Sequence, residues 1–206
     1  MKALLLADLY IIRKYTRAFL AMVVLFLGVS AFETGETFLL VYPVLMASIL
    51  STSVLSYNER FHWDSYCDTL PISRAQVVSE KYLLSLLMTG TVFILTALLE
   101  LRLLYTGALS REDYFMTLDM LAVLAFFAPS LMLPIIFKLG MEKGRMAYYI
   151  IFGVAFAITV FLPERLLEAG GLTRGPLTLL ALLLVCALFF VGSWRLAIRF
   201  YKAREL

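Results

Sequence analysis

The sequence predicts an all-α membrane protein with six transmembrane helices, an amphipathic helix lying on the membrane surface at its N-terminus, and both termini in the cytoplasm. Three observations carry this. Of the 206 residues, 62% are hydrophobic and 16% charged, against about 45–50% apolar and ~25% charged in soluble domains, and the mean hydropathy is +0.90. The apolar residues gather into six segments of membrane-spanning character, separated by short polar stretches. Lys and Arg, which resist translocation, fall unevenly on the two sides of those segments.

Residues 1–17, MKALLLADLYIIRKYTR, come first. At about 100° per residue, Lys2, Arg13, Lys14 and Arg17 gather within about a third of a turn, with Leu4, Leu5, Ile11, Ile12 and Tyr15 opposite. That is the pattern of an interfacial helix on an anionic leaflet of membrane lipid. Asp8 falls on the apolar side and argues against it; the alternative is a soluble lead-in to the first span. That span is 18–32, turned by ETGE at Glu33 to Glu36. Its small residues Val29, Ser30 and Ala31 suit a signal peptidase, but the charged region is long for a signal and a second span, 37–56, follows at once. Spans at 82–105, 116–137, 147–162 and 177–193 complete the single domain, 1–206. The outer loop 163–176, PERLLEAGGLTRGP, holds Leu166, Leu167 and Leu172, which would be wasted in water. It either dips into the outer interface or is a plain amphipathic linker.

The longest polar interruption is 57–81. It holds a turn at Leu70 and Pro71 and then Ser73-Arg74-Ala75-Gln76, a capping box that starts a helix. With Gly90 its only weak point, that helix can run to about Tyr105, roughly 50 Å and more than the ~30 Å hydrocarbon core needs. Its first two turns, with Arg74, Glu80 and Lys81, are therefore expected in water. With the N-terminus inside, fourteen of the eighteen Lys and Arg are cytoplasmic and only Arg102, Arg111, Arg165 and Arg174 lie outside. Tyr57, Tyr82, Tyr148, Tyr149 and Tyr201 would mark one interface, Tyr105 and Tyr114 the other.

Sites for chemistry are scarce. There is no GxxxxGK[ST] phosphate loop and no GxSxG elbow, and GMEKGR at Gly140 to Arg145 lacks the residues a phosphate and magnesium need, so it reads as a cytoplasmic turn. His62 is the only histidine, and Cys67 and Cys186 share no compartment; no metal site, cofactor or nucleic-acid partner is expected of this chain, and no catalytic residue. Glu100, Arg102 and Asp119 are the ionisable groups within spans. They sit near the outer headgroups, as a salt bridge or solvated rim or, alternatively, as the lining of a substrate exit.

The polar run mixes Phe61, Trp63 and Tyr66 with Glu59, Arg60, His62, Asp64 and Asp68. Exposed aromatics among both charge signs suit a docking surface, although Trp and Tyr also anchor interfaces without binding anything. The stretch ERFHWDSYCDTLPISRAQVVSEKYLLSLL resembles the short six-span permease subunits of type-2 ATP-binding-cassette exporters, which carry an LPxSRxxxVxxKY pattern after the second span. The match is Leu70, Pro71, Ser73, Arg74, Val78, Lys81 and Tyr82, with Trp63 and Asp64 upstream; Glu80 departs from the small or apolar residue usual there. The resemblance covers the full length in layout and about 25 residues in detail.

It implies a permease in the bacterial cytoplasmic membrane whose 59–68 segment is a coupling helix seated in a separate ATPase subunit. ATP and Mg would be bound by that partner. Two ATPases would act on two permeases, a homodimer or a pair with a sister permease, to export a peptide or other amphipathic or hydrophobic substrate. Arg74 and Lys81 would lie close enough to the docking loop to pair with Asp64 or Asp68. Two other functions stay open on sequence: a membrane immunity or stress protein that acts alone, and an intramembrane enzyme, disfavoured because no acid pair or acid–His pair lies at mid-bilayer depth.

Overall fold

A computed structural model describes residues 2–15, 17–30, 37–61, 63, 71–147, 149–150, 153 and 175–203. Among them there are helices and no strands. We number the long ones α1 (Lys2–Tyr15), α2 (Arg17–Ser30), α3 (Thr37–Arg60), α4 (Arg74–Tyr105), α5 (Arg111–Leu139) and α6 (Pro176–Ala203); residues 141–147 are helical as well.

The capping box is present as expected: Gln76 N–H donates to Ser73 Oγ at 3.3 Å and Ser73 N–H to Gln76 Oε1 at 3.0 Å. From there α4 runs 32 residues without interruption, roughly 48 Å. Gly90 does not break it. The fourth predicted span begins a turn earlier than expected, because Ser110 caps α5 by accepting from Asp113 N–H at 3.1 Å. At the other end of α5, Gly140 adopts φ +81°, open to glycine at little cost, and the chain turns into 141–147. Gly144 lies so close to the α5 backbone that a Cβ would come within 2.9 Å of Ile136 Cα, so GMEKGR is a turn folded tightly onto the helix it follows.

Among the described residues, four helices, α3 to α6, are long and apolar enough to cross a bilayer. Helix α2 is apolar but has 14 residues, about 21 Å, short of a full crossing. The predicted span 147–162 and loop 163–176 lie almost wholly outside the described residues.

Helix α5 is the centre of the bundle, packed against α3, α4 and α6. Ala122, Ala125 and Ala128 keep its face small enough for close approach. One core joins α2, α3, α4 and α5 through Val23, Val44, Val92 and Leu121. Another joins the end of α3, the start of α4 and the ends of α5 and α6 through Leu55, Val78, Ile136 and Tyr201. Outward, α4 shows Leu83, Leu87, Ile94 and Leu98, and α6 shows Leu177, Leu184 and Leu188. Apolar stripes of this length facing away from the protein suit lipid and would be a liability in water.

Two expectations about the polar end are corrected. Glu80 and Lys81 do not stand in water: they are 2% and 3% exposed, because α1 covers this part of α4. Tyr82 and Tyr201 are not interface anchors but core residues, Tyr82 edge-on to Phe190 at 5.2 Å and Tyr201 edge-on to Phe137 at 5.2 Å. Tyr105 and Tyr149 are exposed, as an interface position requires.

Candidate functional site

The four ends that meet around residues 57–82 form a polar junction on an apolar bundle. It is assembled by buried hydrogen bonds whose need can be traced to individual residues. Pro134 has no N–H, so the carbonyl of Ser130, four residues earlier in α5, loses its helical donor. The Ser193 hydroxyl of α6 donates to that carbonyl, and Tyr82 of α4 lies 2.7 Å from Ser193 Oγ. Since the only hydrogen on Ser193 Oγ is committed to Ser130, Tyr82 is the donor in the second bond. The chain of bonds Tyr82, Ser193, Ser130 thereby ties α4, α6 and α5 together. Trp194 Nε1 adds a bond to Ser79 Oγ at 3.0 Å.

The end of α3 is tied in as well. Glu59 Oε2 accepts from Met141 N–H at 2.8 Å, meeting one of the first amides of the 141–147 helix, which would otherwise lack an acceptor. Arg145 Nη2 reaches Ser56 Oγ at 3.4 Å. Beyond this point the side chains turn outward: Arg60 is exposed and Phe61 is 68% exposed. Trp63, by contrast, is half-buried against the core beneath the junction. His62, Asp64, Tyr66, Asp68 and Leu70 lie outside the described residues. Pro71 and Ser73 are exposed, Arg74 is half-buried at the head of α4, and Val78 is fully buried.

Asp64 and Asp68, the expected partners of Lys81, lie outside the described residues; the partner seen is on α1. The Lys81 ammonium donates to Asp8 Oδ2 and lies 3.2 Å from Glu80 Oε2. Asp8, the residue that spoils the amphipathic pattern of α1, sits between Leu4 and Ile12 on the buried stripe of that helix, while Leu6, Tyr10, Arg13 and Lys14 face outward. The misfit in the pattern is the contact. Glu80, the residue that departs from the family pattern, belongs to the same cluster.

At the far end of α4, Glu100 is 2% exposed, so it is not part of a solvated rim. It points toward α5 beside Thr117, and its Oε2 meets no donor. Arg102 is exposed, on the opposite side of the helix, as positions two apart must be. Asp119 is half-buried on α5.

Long apolar helices with lipid-suited outer faces, joined at one polar end, define a multi-pass membrane protein. Among the described residues no group of three His, Cys, Asp or Glu is placed to hold a metal ion. A family model described as "ABC-2 family transporter protein" matches residues 3–202, and the chain belongs to that family. Neither the curated proteins nor the solved structures contain a match. The family assignment makes the chain a transport permease, a membrane component that is not itself catalytic and whose family generally works with an ABC ATPase.

Proposed function

We propose that this chain is the permease subunit of an exporter. A separate ABC ATPase, binding ATP and Mg, docks on the segment 59–68 and drives the movement of a peptide or other amphipathic or hydrophobic substrate out of the cytoplasm. Two ATPases act on two permeases, the second being another copy of this chain or a sister permease, since one small bundle encloses too little space for a peptide. The setting is the bacterial cytoplasmic membrane, with both termini inside.

One observation supports this reading most. Exposed Arg60 and Phe61 stand at the tip of a junction in which α3, α4, α5 and α6 share one core and α4, α5 and α6 are tied by one set of buried hydrogen bonds. Closely packed helices pass on a displacement as rigid bodies instead of absorbing it. A push on the tip of α3 therefore tilts helices roughly 36–48 Å long, and the four of them move together. A docking surface mounted on a flexible loop would lose that displacement.

The test is co-expression with an ABC ATPase encoded beside the gene for this chain. The two are expected to co-purify, and the complex to hydrolyse ATP faster when its cargo is added. Arg60→Glu, at an exposed position, is expected to abolish co-purification while leaving the melting temperature of the isolated permease unchanged. Full activity of the permease with no ATPase present would overturn the reading in favour of a protein that acts alone.

A further inference from the structure

We propose that Asp8, Glu80 and Lys81 form a proton-binding site that fastens the N-terminal helix α1 to the start of α4. The site is independent of the export reading. All three side chains belong to residues no more than 3% exposed. The Lys81 ammonium bonds to Asp8 Oδ2 and lies 3.2 Å from Glu80 Oε2. The Asp8 and Glu80 carboxyl groups stand within hydrogen-bonding reach of each other. Glu80 Oε1, also buried, meets no donor.

Charge counting shows what is missing. Two carboxylates and one ammonium leave a net charge of −1 sealed from water, a state that a protein interior penalises heavily. Among the described residues, the charged side chains that act on Glu80 are Lys81 and Asp8. Across a small cavity from Lys81, α3 presents Asn58 and Glu59, a further acid already bonded to Met141 N–H, and α6 presents Tyr201. On α1, Arg13 and Lys14 are exposed. Arg74 lies two turns away along α4, roughly 10 Å.

One proton on the carboxyl pair restores neutrality. Two carboxylates in contact cannot both ionise cheaply; once one is protonated, its O–H donates to the other, which keeps its ion pair with Lys81. Releasing that proton to solvent leaves two like charges facing each other across the boundary between α1 and α4, and the repulsion acts on the contact that holds α1 down. Proton occupancy thus sets how firmly the N-terminal helix is seated.

The full-length chain in detergent tests this through thermal unfolding from mildly acidic to alkaline pH. In a Glu100→Gln background, where the other buried acid of α4 contributes no proton, the folded chain holds one proton more than the unfolded chain above the ordinary carboxylate range, so stability falls as pH rises, and the variants are compared in that background. Glu80→Gln keeps the shape of the protonated acid and can still donate to Asp8; it is expected to lose that pH slope and to melt at or above the parent at alkaline pH.

Infrared spectroscopy supplies a readout that packing alone would not move. In a Glu100→Gln background, which removes the other fully buried carboxyl of α4, a protonated-carboxyl carbonyl band is expected at neutral pH and lost at alkaline pH. It should be missing after Glu80→Gln, or after Asp8→Asn should the first variant not fold, because one acid then suffices to balance Lys81. Absence of the band from the parent, its survival in the variant, or an unchanged pH slope in Glu80→Gln would each overturn the proposal.

Discussion

Helix α4 buries an acid near each of its ends, and the rest of the chain treats the two differently. Glu80 is met by a lysine on its own helix and by an aspartate delivered from α1. Glu100 stands beside Thr117, and its Oε2 meets no donor. The difference locates where the fold has invested in electrostatic precision: at the junction end, where one mispositioned charge disturbs several helices.

The largest effect that would break this contrast is at Lys81. Lys81→Ala strands Asp8 and Glu80 without a cation, and removing one partner from a buried ionic cluster costs about 3–5 kcal/mol. A melting temperature close to wild type in detergent would show that the cluster carries no net stability.

Next comes the bond chain that begins at Pro134. Ser193→Ala leaves the Ser130 carbonyl and the Tyr82 hydroxyl short of partners, for a loss of about 1–3 kcal/mol. In a Pro134→Ala background the Ser130 carbonyl regains a helical donor, so the same serine substitution should cost distinctly less, by double-mutant cycle of unfolding free energies. Equal costs in both backgrounds would mean that Ser193 does not answer the proline.

The smallest effect is expected at Glu100. Glu100→Gln keeps the side chain's shape while removing the possibility of charge, and should change stability by less than about 1 kcal/mol in thermal unfolding. A loss as large as that of Lys81→Ala would make the far end as electrostatically committed as the near one.

Much of this fold was legible in the sequence for local reasons. The Ser73 and Gln76 spacing specifies the start of α4, and nothing in the following 32 residues is able to stop a helix. The apolar runs specify α3 to α6. The family resemblance rested on local spacing too, and the family model that spans residues 3–202 agrees with it. What escaped was the partner of each polar group. Asp8 and Lys81 are 73 positions apart, and periodicity, which compares neighbours a few residues away, registers Asp8 only as an error on an apolar face. That error was itself the signal: an acid on the buried stripe of a surface helix requires a buried cation, and Lys81 was available.

Ser193 was also findable. A proline within a span frees the carbonyl four residues before it, and a serine at the end of the adjacent apolar run is a natural donor.

The distance in sequence between Asp8 and Lys81 also has a consequence for biosynthesis. The aspartate leaves the ribosome long before the lysine does, so α1 has nothing to grip while the first hydrophobic segments are being inserted. Its seating is a late act of assembly, completed only after α4 has been made, and a truncated translation product ending before Lys81 would carry an N-terminal helix with its acid still looking for a mate.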